Sequence, residues 1–227
     1  MTIPLLLALF WIAFAGGHLV LSSAPVRPGL RARLGAQAFQ GLYALVALGT
    51  FVPLVWIFAT HRHAGPLLWP TLGPPALARR LDYVLMAVAM VLLVAAVLPG
   101  SAAPSSMGAR GAVQARGMTR ITRHPLFMAL ALFGIAHLLV NGSLGDVVFF
   151  AGFPLFAWVG ARHQDARLAR ERTGYASFVA ETSLVPFAAI AAGRQRLVVS
   201  ELPSAAIVAG LVLTVVLRYW HGTLFGP

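Results

Sequence analysis

Residues 117–142 read GMTRITRHPLFMALALFGIAHLLVNG. Basic side chains, among them Arg123 and His124, precede fifteen almost entirely apolar positions at residues 126–140. An apolar run of about 17–25 residues crosses the ~30 Å hydrocarbon layer of a membrane as a helix, and this run approaches that length. It is interrupted by one ionisable ring, that of His137. The stretch therefore predicts a membrane-spanning helix that carries an imidazole inside the hydrocarbon layer.

The composition of the whole chain extends this prediction. The 227 residues are 59% hydrophobic and 10% charged, whereas soluble domains carry about 25% charged residues. The mean hydropathy is +0.83. The chain is therefore predicted to be an all-α, polytopic transmembrane helical bundle. The sequence has no cysteine, which excludes disulfides, thiolate metal ligands and cysteine nucleophiles.

Six apolar runs along the chain predict about six spans in a single domain, residues 1–227. The first run is interpreted as a retained helix rather than a signal peptide, because no positive charge precedes it. The glycine-rich and proline-rich joint at residues 99–117 is predicted to be a flexible cytoplasmic loop. The spans are expected near residues 3–22, 39–59, 81–98, 124–141, 144–161 and 204–220.

The basic residues predict the orientation. The net charge is +11 and all 17 basic residues are arginines. Thirteen of them lie in the joints after spans one, three and five, and four lie on the other side. Because cytoplasmic loops carry the excess of arginine, both termini are predicted to be periplasmic. The same asymmetry accounts for the positive charge without a nucleic-acid partner.

Two of the seven histidines, His18 and His137, have apolar neighbours on both sides. An ionisable residue inside a bilayer is costly and is a functional-site hypothesis by default. The alternative is a neutral imidazole that hydrogen-bonds a neighbouring helix. Four others are interpreted as solvated helix ends: His61, His63, His163 and His221.

The depth of each histidine in the predicted spans limits which of them can share a ligand. His124 and His137 are thirteen residues apart, or about 20 Å along one helix, so they cannot hold one small cofactor together. Depth alone places His18 level with His124 at the cytoplasmic mouth, and His61 level with His137 at the outer end.

Arginines at the cytoplasmic mouth are candidate cofactor contacts. Arg27, Arg120 and Arg123 collect there with His124 and are suited to the carboxylates of haem propionates or to a nucleotide-like group. The alternative for each of them is an ordinary positive-inside arginine.

The sequence resembles the NnrU family of bacterial membrane proteins over residues 3–175. The resemblance rests on Arg123-His124-Pro125, on Ala136-His137 and Asn141-Gly142, on His18 with Ser22-Ser23, and on Leu42-Tyr43. It implies a multi-pass protein of the bacterial inner membrane that is associated with denitrification, that is, with nitrite and nitric oxide reduction.

A related branch, the plant-type zeta-carotene isomerases, looks similar over the same motifs. Members of this branch are haem b enzymes that isomerise a double bond of a lipid-dissolved polyene. The resemblance implies haem b between spans one and four, with His18 and His137 as iron ligands and with His61 and His124 as further matched histidines. Arg27, Arg120, Arg123 and His124 at the cytoplasmic mouth are then candidate contacts for this cofactor. The sequence departs from the branch at Phe156, which replaces a histidine.

The expected function is therefore haem-dependent redox or isomerase chemistry on a lipid-soluble or diatomic substrate, with membrane lipid as a partner. A non-catalytic role in assembling a nitrite or nitric oxide reductase is an alternative. A second alternative is an S-adenosylmethionine-dependent membrane methyltransferase, because such enzymes share Arg-His-Pro and a pattern resembling Gly174-Tyr175. The Glu-Glu pair of those enzymes is replaced here by residues 163–165, His-Gln-Asp, which argues against methyl transfer.

Overall fold

The computed structural model describes residues 2–98 and 114–225, and within them the chain is helical and forms no β-strand. The predicted all-α membrane bundle is confirmed. Residues 99–113, which make up most of the predicted loop between spans three and four, lie outside the described residues. The helices are α1 (Ile3–Ser22), α2 (Arg27–Thr60), α3 (Pro75–Val97), α4 (Met118–Ile121), α5 (Pro125–Val140), α6 (Leu144–Glu171), α7 (Tyr175–Glu181), α8 (Ala188–Ala191) and α9 (Ser204–Phe225), with a 3₁₀ turn at Val199–Glu201.

Each predicted span overlaps one of these helices. Among the described residues, α1, α2, α3, α6 and α9 are long and apolar enough to cross a membrane, and α5 is a shorter apolar helix of 16 residues. The chain is thus a multi-pass membrane protein. Which side of the membrane the termini face stays a prediction.

The second helix begins twelve residues before the predicted span. Its first part is rich in arginine, so hydropathy alone starts the span at residue 39, whereas α2 begins at Arg27 with Pro28 in its first turn. Gly35 has φ 81° and ψ 168°, a non-helical conformation that divides the helix. Because only glycine adopts this region without strain, the kink is fixed by the residue type.

The helices follow one another across the bundle in an order that differs from their order in the chain. Helix α6 packs against both α1 and α5, α2 packs on α1, and α3 packs against α5 and α9. The resulting spatial order is α2, α1, α6, α5, α3, α9. Helix α6 therefore lies between the helices that carry the two apolar-flanked histidines.

Close contacts hold α6 between its neighbours. Trp11 of α1 donates an indole hydrogen bond of 3.0 Å to the carbonyl of Phe149 and meets the ring of Phe153 edge-on at 4.9 Å. Gly152 lies against the Trp11 ring, and Gly134 of α5 lies against the α6 backbone. Small residues at such positions let membrane helices approach closely.

One end of the bundle, here named the loop end, is closed by residues 61–74. The indole of Trp69 donates to the carbonyl of Leu138 over 3.1 Å. The imidazole of His63 donates to the buried carboxylate of Asp146 over 2.8 Å. These bonds fix the turn between α5 and α6, since both acceptors lie beside that turn.

The other end, here named the basic end, holds the ends of α1 and α6 and the start of α5. Arg120 forms two hydrogen bonds with Glu201, of 2.8 and 3.1 Å, and a third of 2.7 Å to Gln195. The amide of Gly117 donates to the same carboxylate over 2.9 Å. Arg120, a predicted cofactor contact, thus joins α4 to the segment before α9.

The ten-residue apolar segment at residues 184–193 does not form a span. It folds into the single turn α8 and packs against α4 and the start of α5. Thr122 donates to the carbonyl of Leu184 over 2.7 Å, and the Phe187 amide donates to the Ile121 carbonyl over 2.9 Å.

The hydrogen bonds from Arg120 and Gly117 lower the pKa of Glu201 from its ordinary 4.5 to about 2. A carboxylate with a lowered pKa stabilises the fold above its ordinary pKa, and this contribution is lost as the pH falls through the folded value. We therefore expect Glu201→Gln to lower the unfolding temperature at pH 7, by an amount that shrinks as the pH falls from 4.5 towards 2. Thermal unfolding of both proteins in detergent across this range measures it. A difference that stays constant with pH would contradict the assignment.

Candidate functional site

A cavity of about 330 Å³ lies at the basic end between α1, α2 and α6. We name it the basic-end cavity. Its walls are aromatic, and its mouth carries basic and hydrogen-bonding side chains. The lining residues that bear on its chemistry are His18, Arg27, Tyr43, Phe156, His163 and Arg167.

His18 presents one free ring nitrogen in this cavity. Its Nδ1–H donates to the carbonyl of Phe14, one turn earlier, over 2.9 Å. The other nitrogen, Nε2, then carries the lone pair and can accept a hydrogen bond or bind a metal. The ring meets Tyr43 and Phe156 edge-on at 5.0 and 5.5 Å. A hydrogen bond to a carbonyl that fixes the tautomer is what an iron-binding histidine requires.

The mouth of the cavity has more positive than negative charge. Glu171 lies 3.4 Å from Arg27 and 2.8 Å from Arg167, so one carboxylate is shared by two guanidinium groups. Its side chain is 44% exposed, which weakens both pairs. The site is therefore suited to a ligand that brings a carboxylate of its own.

Arg123 and His124, two predicted cofactor contacts, have a protein partner in the structure. Asp165 accepts hydrogen bonds from Arg123 Nε at 2.9 Å, from His124 Nε2 at 2.7 Å and from the Tyr175 hydroxyl at 2.7 Å. The side chain of His124 is only 3% exposed. Burial, and then the bond to this carboxylate, raise the pKa of Tyr175. The network ties α5, α6 and α7 together, and a cofactor role for Arg123 and His124 stays a prediction.

His137 lies in a different place. Its Nδ1–H donates to the carbonyl of Phe133 over 2.9 Å, and its ring stacks on Phe150 at 4.6 Å. It lines a second cavity, of about 790 Å³, between α3, α5 and α9. We name this the α3–α9 cavity. The structure does not bring His18 and His137 together, because α6 packs between their helices.

A single haem between His18 and His137 does not fit this arrangement, because the two imidazoles line separate cavities. The chemistry of the basic-end cavity does fit a haem. It offers two imidazoles, aromatic walls and, in Arg27 and Arg167, two guanidinium groups for propionates. Within residues 2–98 and 114–225, no three His, Asp or Glu side chains group closely enough to form a non-haem metal centre.

Sequence reasoning missed His163 and Arg167. His163 was interpreted as a solvated helix end, and the predicted span ended at residue 161. Helix α6 continues to Glu171 and carries Phe156, Gly160, His163 and Arg167 at spacings of four, three and four residues. This i, i+4, i+7 pattern places them on one helix face and is a signal that the sequence does contain.

The fold and this site define a class: a polytopic helical membrane protein with a histidine-containing, partly aromatic cavity at its basic end. Residues 5–227 match the NnrU family, described as NnrU protein. The chain belongs to the NnrU family, as the Arg-His-Pro and histidine motifs predicted.

Two relatives of known description are plant enzymes. The chain is 29% identical over 165 residues to the chloroplastic 15-cis-zeta-carotene isomerase of Arabidopsis thaliana. The aligned region covers 72% of this chain and 45% of that protein. It is 27% identical over 190 residues to the enzyme of the same description from Zea mays, covering 83% and 51%. The chain thus spans about half the length of these relatives. It is a membrane protein similar to these isomerases over that part of their length, and no solved structure matches it.

The shared carboxylate of Asp165 carries a prediction about stability. Asp165→Asn keeps the shape of the side chain but removes the charge that pairs with Arg123 and His124. Breaking a buried ion pair costs about 3–5 kcal/mol, so we expect a clearly lower unfolding temperature in detergent. Glu171→Gln is the matched control on the same helix, and its exposed pairs predict a loss of about 1 kcal/mol or less. Equal losses in the two variants would contradict the structural role of Asp165.

Proposed function

We propose that the chain is an isomerase of a lipid-dissolved polyene and that it binds haem b in the basic-end cavity through His18. The observation that carries the proposal is the free Nε2 of His18, in a cavity with aromatic walls and an excess of guanidinium groups at its mouth. Both plant relatives are 15-cis-zeta-carotene isomerases, which supports the substrate class.

Different side chains of the cavity would bind the iron and the propionates of a haem. His18 supplies an imidazole nitrogen for the iron, and His163 is the second imidazole that lines the same cavity. Arg27 and Arg167 are placed for the propionates, since carboxylates pair with guanidinium groups. When bound, haem would supply a redox-active iron.

The substrate chemistry suits the rest of the lining. A cis–trans isomerisation leaves the composition of the substrate unchanged, so the cavity has to hold the polyene and needs no second substrate. Rings such as Phe39, Phe127 and Phe156 line the cavity and provide flat apolar faces for a conjugated chain. The role of these rings is to hold the polyene in place and to exclude water.

The association with denitrification and the bacterial inner membrane stay predictions from the family resemblance. So do the assembly role with a nitrite or nitric oxide reductase and the methyltransferase alternative. For methyl transfer, calorimetry with S-adenosylmethionine is the direct measurement, and micromolar binding would favour that function over isomerisation.

The haem proposal is tested by the visible spectrum of the protein, purified in detergent from haem-supplied cells. We expect a Soret band in the wild type and its loss in His18→Ala, because that variant removes the proposed ligand. His163→Ala should shift the band. His137→Ala is the matched control and should leave the band unchanged, because that ring lines the other cavity. A colourless wild type, or loss of the band in His137→Ala alone, would overturn the proposal.

Isomerase activity needs its own measurement. We expect the purified protein to convert 15-cis-zeta-carotene to the 15-trans isomer in the dark, followed by chromatography. His18→Ala should lower the conversion by at least about tenfold, a loss of about 1.4 kcal/mol in transition-state stabilisation. Haem binding without conversion would refute the isomerase function and leave the cofactor site standing.

A further inference from the structure

The α3–α9 cavity has no part in the proposed function, although it is the larger of the two, at about 790 Å³. Its size is well within the range of about 300–1,000 Å³ that is typical of small-molecule sites. Ionisable side chains from three helices meet there: Asp82 from α3, His137 from α5, and Arg218 and His221 from α9. Ionisable groups inside a membrane protein mark functional sites by default.

The cavity is polar at one end and apolar at the other. Asp82 lies nearer to the loop end than Met90, and the two are eight residues apart, or about 12 Å along α3. On α9, His221 lies at the same polar end, and Val215 lies about 9 Å further along the helix, at the apolar end. A ligand that fills this space therefore has a polar head and an apolar remainder.

The opening of the cavity faces the side of the bundle. Val215 is 68% exposed and Tyr219 is 81% exposed, and both lie on α9, the helix at one end of the spatial order. In a membrane, the exposed side of a spanning helix contacts lipid. A ligand therefore enters from the lipid phase rather than from water.

The charges at the polar end favour a neutral head. Arg218 lies over the ring of Tyr83 at 5.1 Å, and the carboxylate of Asp82 lines the same polar end, so groups of both signs are present there. An anionic head would find no excess of positive charge comparable to that at the mouth of the basic-end cavity. A neutral head with hydrogen-bonding oxygens does not need an excess of positive charge.

Both donors and acceptors are present for such a head. The Nδ1–H of His137 is used by the Phe133 carbonyl, so its Nε2 is an acceptor and suits a hydroxyl group of a ligand. Arg218 is a permanent donor and suits a carbonyl oxygen. A flat ring that carries carbonyl or hydroxyl oxygens, with an apolar tail, uses both groups.

We infer that the α3–α9 cavity is a binding site for a lipid-soluble quinone or quinol, with the ring oxygens held by His137 and Arg218 and the tail along Met86 and Met90. The inference concerns binding only and is independent of the proposed function at the basic-end cavity.

The test is a calorimetric titration of the full chain in detergent with decylubiquinone. We expect saturable binding, weakened at least about tenfold in His137→Leu, which removes one hydrogen bond to the ligand. Arg218→Met keeps the apolar stem at an exposed position and provides a second variant should His137→Leu fail to fold. His18→Ala is the matched control in the other cavity and should bind decylubiquinone as the wild type does.

Two further ligands separate the alternatives. Decanoate carries an anionic head on a similar tail, and decane has no head at all. Tighter binding of decanoate than of decylubiquinone would contradict the quinone assignment and indicate an anionic lipid. Equal binding of decane would indicate that the cavity binds acyl chains without recognising a head group. Unchanged decylubiquinone binding in both His137→Leu and Arg218→Met would overturn the inference outright. Because His18→Ala is included, failure here is distinguishable from failure of the haem proposal.

Discussion

The packing of α6 between α1 and α5 is the constraint on which the arrangement of this protein depends. The indole of Trp11 reaches the α6 backbone at Phe149, and glycines at the helix crossings leave no room for other side chains. Because close packing of small residues and backbone drives association of helices in lipid, this contact fixes the spatial order of the bundle. It also separates His18 from His137, and so divides the polar interior into two cavities.

A second constraint acts at the basic end, where charges must be paired before the chain can enter a low-dielectric layer. Asp165 satisfies Arg123, His124 and Tyr175 at once. The Arg-His-Pro motif thereby fixes the start of α5 against α6. Arg27 and Arg167, which line the mouth of the cavity, are not part of this network and share the carboxylate of Glu171. The network supports the site without lining it.

The helices were predictable from hydropathy because each span is a long apolar run. Hydropathy does not predict which helices pack against each other. The arginines and the kink at Gly35 hid the first part of α2. His163 was missed because a polar continuation of α6 looks like a solvated helix, although its spacing from Phe156 and Gly160 places it on one face. The family resemblance predicted His18 and His137 as ligands of one iron. No periodicity in the sequence indicates that a third helix lies between them.

The two apolar-flanked histidines show how one local motif serves two environments. Each follows a phenylalanine by four residues, and each donates its Nδ1–H to that residue's carbonyl, so both rings have the same tautomer. Position then decides their chemistry. His18 shares its cavity with Arg27, Arg167 and His163, a set with excess positive charge. His137 shares its cavity with Asp82 and Arg218, one acidic and one basic side chain. The same free nitrogen would therefore face an anionic cofactor in the proposed haem site and a neutral ligand in the proposed quinone site.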